Sequence, residues 1–300
     1  MRAKDIIGFA LICLFWGSSF LWIKIVLTEL GPITLVAIRL TLGALGLGAA
    51  LAIRRPPLPR APRIWLSVAL LGALNPAAPF FLITWGEQYI DSGVASILNA
   101  TVPLFTLVIA HFALDDERIT LPRAAGLLVG FGGIVLLVGR DLGVQGVQGS
   151  VLGGLAVVVA ALCYAIAAVV ARKVLRDMRP VVFSTVTVSV GASLMWALVP
   201  LAEAPVHFPV SGPVWIGLAF MGLLGTCGAY LLYYSLIQSI GATRATLVTY
   251  VIPVVGVLLG VIVLREELSW SLAVSAALII GSVAIVNSRQ LQPARATSGD

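Results

Sequence analysis

Few residues of this 300-residue chain could do chemistry inside its long apolar segments. The ionisable residues that could act there are Lys24, Arg39 and Glu87, and such groups within a membrane are a default indication of function. His111 and His207 lie far apart and lack the spacing of a metal site. The three cysteines fall in apolar runs without a CxxC pair. The sequence therefore predicts no catalytic centre, metal or cofactor, and we do not expect an enzyme.

Two prolines mark the points where an apolar helix could expose its backbone. Pro103 frees the carbonyl of Asn99, and Pro253 frees that of Thr249, because proline has no N–H and clashes with the carbonyl four residues earlier. A freed carbonyl in lipid must face protein or a water-filled cavity. We therefore predict that these four residues line a substrate cavity, with helix kinking for packing alone as the alternative.

Further candidate cavity residues are one amide and several aromatic side chains. Asn75 precedes a proline in the middle of the third apolar segment. Trp16 and Tyr164 lie near the centres of the first and sixth segments, and Tyr230 lies in the eighth. Such rings could form apolar walls with a polar tip for a small amphipathic substrate. Packing between helices remains the alternative for each of them.

The elements that would position these residues are membrane-spanning helices. Hydrophobic residues make up 60% of the chain and charged residues 11%, which is too few charges to cover a water-facing surface. Spanning a bilayer takes about 20 apolar residues. An all-α integral membrane protein follows, with ten predicted spans at 6–27, 33–53, 64–84, 93–114, 122–139, 151–171, 181–200, 214–236, 244–264 and 270–287.

The distribution of Lys and Arg predicts the orientation. Most of the 19 basic residues lie in loops on the side of the N-terminus, whereas only Arg140 and Arg265 lie on the opposite side. Positively charged loops stay cytoplasmic, so both termini are predicted to face the cytoplasm. The net charge of +6 is explained in this way, and we predict no nucleic-acid partner.

The chain contains an internal repeat. Residues 95–114 read ASILNATVPLFTLVIAHFAL and residues 245–264 read ATLVTYVIPVVGVLLGVIVL, which aligns Pro103 with Pro253. Trp16 aligns in the same way with Tyr164, near the same offset. Each half has five spans, an odd number, so equivalent helices cross in opposite directions. Such inverted repeats are typical of secondary transporters.

Several motifs resemble those of a known family. They are WGSSF at Trp16–Phe20, GEQYIDSGVASILNATVPLF at Gly86–Phe105, and the paired blocks of proline followed by Glu and Thr or Ser. The chain resembles EamA-type members of the drug/metabolite transporter superfamily over nearly its whole length. The resemblance implies two five-helix modules around a central cavity and export of amino acids or similar metabolites. We count Ser19 of the first motif among the cavity residues.

The charged residues predict a gate at the side away from the termini. A cluster that pairs Lys24 or Arg39 with Glu87 could close the cavity or attract a substrate carboxylate. Snorkelling of Lys24 to the interface is the alternative. No carboxylate lies in the middle of a span, which favours facilitated transport or coupling through an edge residue such as Glu87.

These observations predict a secondary transporter in the cytoplasmic (inner) membrane that exports small amphipathic metabolites by alternating access. A channel or a structural membrane protein is the alternative, and a membrane-embedded enzyme is less well supported. We expect repeats over residues 1–140 and 150–288 and a disordered cytoplasmic tail over 289–300. The expected partners are a small-molecule substrate and the lipid bilayer, and the sequence leaves the oligomeric state, substrate and coupling ion open.

Overall fold

The computed structural model of the protein describes residues 2–57, 62–114, 119–139, 148–174, 178–205, 208–240, 245 and 247–287. The predicted tail at 289–300 and the acidic run Asp115–Glu117 lie outside these residues, as do His207 and Arg140. The described residues form helices joined by short connections, with no strand among them.

The first repeat contains five membrane-crossing units, three of them interrupted. Its elements are α1 (Ala3–Gly17), α2 (Ser19–Val26), α3 (Pro32–Arg54), α4 (Pro62–Gly72), the π-helix π1 (Ala73–Ala77), α5 (Ala78–Gly86), α6 (Ser92–Asn99), α7 (Val102–Ala113) and α8 (Leu121–Gly139). The units are α1 with α2, α3, α4 with α5, α6 with α7, and α8.

The second repeat has the same plan with different interruptions. Its elements are α9 (Gln148–Val174), α10 (Pro180–Ala202), α11 (Gly212–Ala219), π2 (Phe220–Gly228), α12 (Ala229–Ile240), α13 (Val248–Leu259), π3 (Gly260–Leu264) and α14 (Trp270–Asn287). Eight of the described helices are long and apolar enough to cross a membrane, and Val248–Leu264 and Trp270–Val286 are shorter apolar helices. Together they match the ten predicted spans.

Contacts between repeat-related helices show the inverted arrangement. α3 packs against α10, and α8 packs against α14. Glu203, which follows α10, contacts the backbone at the start of α3, so these two helices run antiparallel. At the other end of the molecule, Asp5 near the start of α1 accepts a hydrogen bond from Ser239 at the end of α12. We call the side that carries Glu203 the far side, because it lies opposite the start of α1.

The buried core lies where the two repeats meet. α6 packs against α13, α5 against α9, and α1 against both α12 and α13. Small residues allow the close approach: Gly130 of α8 lies beside Ser282 of α14, and Gly256 of α13 lies beside Ser96 of α6. Such contacts between small residues drive helix association in a bilayer, where lipid offers no hydrophobic gain for helix packing.

Candidate functional site

A cavity of about 310 Å³ lies between the two repeats. That volume suits a small metabolite, since ligand pockets commonly start near 300 Å³. Helices of both repeats contribute its walls, which are mostly apolar. The lining residues are Trp16, Ser19, Phe20, Ile23, Arg39, Asn75, Phe80, Ile83, Asn99, Ala100, Val102, Pro103, Tyr164, Ala168, Tyr230, Tyr233, Thr249 and Ile252.

The first irregular wall is π1, around Asn75. Asn75 has non-helical backbone angles, φ −162° and ψ 86°, and Pro76 follows it inside the same segment. Since proline supplies no N–H, the helix cannot continue its regular hydrogen bonds through this point. The third span is therefore interrupted at Asn75. The repeat-related segment of the eighth span is also a π-helix, π2.

The second irregular wall is the break between α6 and α7. α6 ends at Asn99, and Pro103 lies in the first turn of α7, so the proline begins a new helix instead of kinking a continuous one. The Oδ1 atom of Asn99 is buried and accepts no hydrogen bond from the described part of the chain. Because an unpaired buried carbonyl is costly, this oxygen is available to a donor on a ligand.

The equivalent wall of the second repeat is built differently. Pro253 lies inside the unbroken helix α13, and its distortion, π3, begins only at Gly260. Thr249 lines the cavity, whereas Pro253 is buried and is not among the lining residues. The expectation of two matching interruptions at the prolines is therefore wrong in detail: one helix breaks and the other continues.

Trp16 fixes one corner of the cavity. Its Nε1–H donates a hydrogen bond of 3.1 Å to the carbonyl of Gly225 in π2. Its ring lies 5.2 Å from that of Tyr233 and 6.3 Å from that of Tyr230, centroid to centroid. The expected polar tip of Trp16 is thus engaged by the protein, so Trp16 offers a substrate only its ring.

Two further predicted residues lie on the same walls with different hydrogen-bonding states. The hydroxyl of Ser19 donates a hydrogen bond of 2.9 Å to the carbonyl of Phe15, one turn earlier in the same span. Its proton is therefore already used within the protein. Tyr164 of α9 also lines the cavity, and its hydroxyl has no hydrogen-bond partner among the described residues. Tyr164 is consequently better placed than Ser19 to donate to a ligand.

Arg39 is the charged residue of the cavity wall. It is 4% exposed, and its guanidinium carbon lies 4.0 Å from the centroid of the Phe80 ring, a cation–π geometry. Its Nε is 3.4 Å from the hydroxyl of Thr226, and Nη1 is 3.9 Å from the sulfur of Met221. These weak contacts leave most of its five N–H donors unused by the described protein. A carboxylate in the cavity could accept from them.

Lys24 and Glu87 lie beyond the cavity instead of on its wall. Neither is among the lining residues. The predicted ion pair is absent: among the described residues, neither Lys24 nor Arg39 comes within 4.0 Å of the Glu87 carboxylate. Glu87 is fully buried directly after α5, one turn beyond the lining residue Ile83.

Sequence reasoning missed a set of carboxylates that hold the far side together. Glu203 accepts hydrogen bonds of 2.8 Å from the backbone N–H groups of both Ile33 and Thr34 at the start of α3. A carboxylate is favoured there, since the amino end of a helix carries partial positive charge and free N–H groups.

A second carboxylate repeats this arrangement across the repeat boundary. Glu266, just after π3, accepts from the N–H groups of Ser92 at 2.7 Å and Gly93 at 3.0 Å. It thereby ties the second repeat to the start of α6 in the first repeat. The sequence places Glu266 directly after a span, but it does not show which helix N-terminus the carboxylate contacts.

Comparisons with known proteins agree with this architecture. The sequence model of the EamA-like transporter family matches residues 4–139 and 151–288. The chain is 27% identical to the uncharacterized transporter YoaV of Bacillus subtilis, over 92% of this chain and 94% of that protein. It is 28% identical to a probable terminal-alkyne amino-acid exporter of Streptantibioticus cattleyicolor, over 99% and 97% respectively.

A solved structure shares the fold. A crystal structure with 24% sequence identity superposes with a TM-score of 0.67 and covers 95% of this chain and 98% of its own. An Escherichia coli relative, 28% identical over 93% of this chain and 90% of its own, is named an uncharacterized inner membrane transporter, YedA.

Proposed function

The chain belongs to the EamA-like transporter family, and we propose that it is a secondary transporter that exports amino acids or related amphipathic metabolites by alternating access. It is a multi-pass membrane protein that transports small molecules, and it is not an enzyme. The substrate, the direction and the alternating mechanism are the proposal.

The observation that carries the proposal is the cavity between the repeats. Irregular backbone of the first repeat lines it at π1 and at the α6–α7 break. In the second repeat, π2 contacts the cavity wall through the Gly225 carbonyl, which accepts a hydrogen bond from the lining residue Trp16. Such irregular segments at corresponding positions of an inverted repeat are characteristic of transport sites. On the far side, Glu203 and Glu266 join the two repeats and would have to release for the cavity to open there.

The polar groups of the cavity favour an amino acid. Arg39 has unused N–H donors for a carboxylate, and a bidentate contact of this kind is strong and directional. The Oδ1 atom of Asn99 lacks a donor among the described residues, and a substrate ammonium group would supply one. The apolar rings of Phe80 and Trp16 suit the side chain. The relative from Streptantibioticus cattleyicolor is named a probable terminal-alkyne amino-acid exporter, which supports an amino acid as the substrate class.

The orientation follows from the charged loops. We propose the cytoplasmic membrane as the location, with both termini in the cytoplasm, because basic residues concentrate on that side. The far side then faces outward. The naming of YedA as an inner membrane transporter supports this location.

Counterflow in proteoliposomes tests the proposal. Vesicles loaded with one unlabelled amino acid are diluted into its radiolabelled form, across a panel of apolar and polar amino acids. A carrier gives transient, saturable accumulation of label, whereas a channel gives flux that rises in proportion to concentration. Non-saturating flux, or no flux for the whole panel, would contradict the proposal.

Variants of the cavity locate the site. We expect Asn99→Ala and Thr249→Ala to raise the half-saturating concentration roughly tenfold, as expected for the loss of one hydrogen bond of about 1–1.5 kcal/mol. Thr106→Ala is the matched control, because Thr106 donates to the carbonyl of Val102 in its own helix and is not a lining residue. If the cavity variants transport like the control, the site is misplaced.

A further inference from the structure

The carboxyl group of Glu87 has no evident structural function. Its side chain is 0% exposed, and neither Oε1 nor Oε2 has a hydrogen-bond partner among the described residues. The same part of the chain supplies no ion pair to it within 4.0 Å. Thr84, one turn earlier, is also fully buried, and its hydroxyl has no hydrogen-bond partner in the described ranges.

An ionised carboxylate is unfavourable in such a place. Taking a charge out of water costs several kcal/mol unless donors or an opposite charge replace the lost hydration. The charged groups that act on Glu87 are Lys24 on α2, Arg39 on α3 and Glu266 after π3, and the last is a carboxylate that opposes ionisation. A neutral, protonated carboxyl group avoids most of this cost.

The other titratable groups near the end of α5 do not supply the missing partner. α9, which packs against α5, carries Tyr164, and the loop that contains Glu87 carries Tyr89 and Asp91. None of these is hydrogen-bonded to Glu87. Within the part of the chain that the structure describes, the buried carboxyl group thus makes no hydrogen bond, although this arrangement costs stability.

The position of Glu87 connects it to both the cavity and the far-side contact. Phe80 and Ile83 line the cavity from α5, and Glu87 follows one turn later. Five residues further along the chain, Ser92 donates its N–H to Glu266 of the other repeat. In the proposed transport cycle, opening of the far side would break this contact and give water access to the region around Glu87.

We infer that Glu87 is a proton-binding site that couples far-side closure to proton uptake. In the far-side-open form, water hydrates the ionised carboxylate of Glu87. Closure buries the carboxyl group beside the Glu266 carboxylate, so it requires a proton, which Glu87 takes from far-side water. When the cavity opens to the cytoplasmic side, water entering past Ile83 hydrates Glu87 and the proton leaves on that side while substrate binds, so each cycle moves one proton inward for each substrate exported. This inference rests on the proposed transport function and adds the proton as the coupling ion.

Infrared spectroscopy tests the protonation without any substrate. The purified wild-type protein at neutral pH should show the C=O stretching band of a protonated carboxyl group, and Glu87→Gln should lack that band. Glu267→Gln is the matched control, because Glu267 is an exposed carboxylate next to Glu266, and it should keep the band. Absence of the band from the wild type, or its persistence in Glu87→Gln, would overturn the inference.

Transport in proteoliposomes tests the coupling, with radiolabelled L-phenylalanine as the probe. A tenfold proton gradient should change steady-state phenylalanine accumulation several-fold in the wild type and less than twofold in Glu87→Gln. Counterflow, which needs no gradient, should stay measurable in that variant. Equal responses of the wild type and Glu87→Gln to the gradient would refute coupling through this residue.

The two measurements separate the two proposals. If wild-type counterflow is absent, the transport proposal fails for this probe, while the infrared band still decides whether Glu87 is protonated. If counterflow is present and the wild type ignores the gradient, the coupling is refuted and the carrier stands. Should Glu87→Gln fail to fold, Glu87→Asp keeps a carboxyl group at this position and should shift the infrared band; an unshifted band would overturn the inference.

Discussion

The contact between Gly256 of α13 and Ser96 of α6 should be highly sensitive to added volume. A methyl group placed on Gly256 would lie 2.5 Å from Cβ of Ser96 and 2.6 Å from its hydroxyl oxygen. Favourable contacts between carbon atoms lie near 3.5–4.0 Å. Because α6 and α13 belong to different repeats, Gly256→Ala must move the repeats apart by about 1 Å.

The expected energy follows from this geometry. Overpacking a buried contact costs about 1–3 kcal/mol, and replacing glycine by alanine within a helix returns about 0.5–1 kcal/mol. Gly256→Ala should therefore destabilise the protein by up to about 2 kcal/mol. Ser96→Gly removes the colliding Cβ, so the double variant should recover the overpacking cost. The predicted coupling energy between the two sites is about 1–3 kcal/mol.

Thermal unfolding in detergent of the wild type, both single variants and the double variant measures this coupling. Gly256→Ala should lower Tm by several degrees, and adding Ser96→Gly should raise it again. Gly281→Ala in α14 is the matched control, because a methyl group there meets nothing within 4 Å. The reasoning is refuted if Gly256→Ala behaves like this control, or if the double variant is no more stable than Gly256→Ala.

Three further predictions concern the far side and the cavity corner. Glu266→Gln removes a charge-assisted contact worth about 1–3 kcal/mol. Hydrogen exchange at the Ser92 and Gly93 amides should therefore be faster in Glu266→Gln than in Glu267→Gln. Equal exchange rates in the two variants would count against the contact. Trp16→Phe loses the hydrogen bond to Gly225 and should cost about 1 kcal/mol in thermal unfolding, more than Trp22→Phe, whose indole has no hydrogen-bond partner among the described residues. Hydrogen bonds from Ser211 and Val210 lower the pKa of Glu29. Because the pKa of Glu29 is lowered, this contact contributes its full stability above the ordinary value of about 4.5, and that stability is lost as the pH falls through the lowered pKa. Hydrogen exchange at the Val210 and Ser211 amides should therefore accelerate only in acid. An equal acceleration near neutral pH would contradict this prediction.

The sequence pattern predicted some residues that lie on the cavity wall and misjudged one. Asn99 and Thr249 were predicted as cavity residues because a proline four positions later weakens the helix, and both lie on the cavity wall. The same reasoning misjudged Pro253, since a proline leaves a carbonyl unpaired but does not dictate whether the helix breaks. Neighbouring helices decide that outcome by filling the gap or leaving it open. Substrate binding by these residues stays a prediction.

The charged residues were harder to assign from sequence. Arg39, Lys24 and Glu87 lie close enough along their spans to suggest an ion pair, yet Arg39 packs over the Phe80 ring instead. A charged side chain can contact any of several neighbours within its reach, and the sequence does not determine which neighbour it contacts. The N–H of Trp16 illustrates the same point, because its acceptor is the carbonyl of Gly225, 209 residues away in sequence.

The sequence by itself determined the membrane class, the ten spans and the inverted repeat. These depend on local composition, because in lipid each spanning segment must satisfy its own backbone and can do so only as a helix. The tertiary structure alone decided which groups meet across the repeats: Glu203 with the start of α3, and Glu266 with the start of α6. Among the described residues, it also left the carboxyl group of Glu87 without a hydrogen-bond partner. Contacts of this kind depend on the packing of helices distant in sequence, which no local pattern encodes.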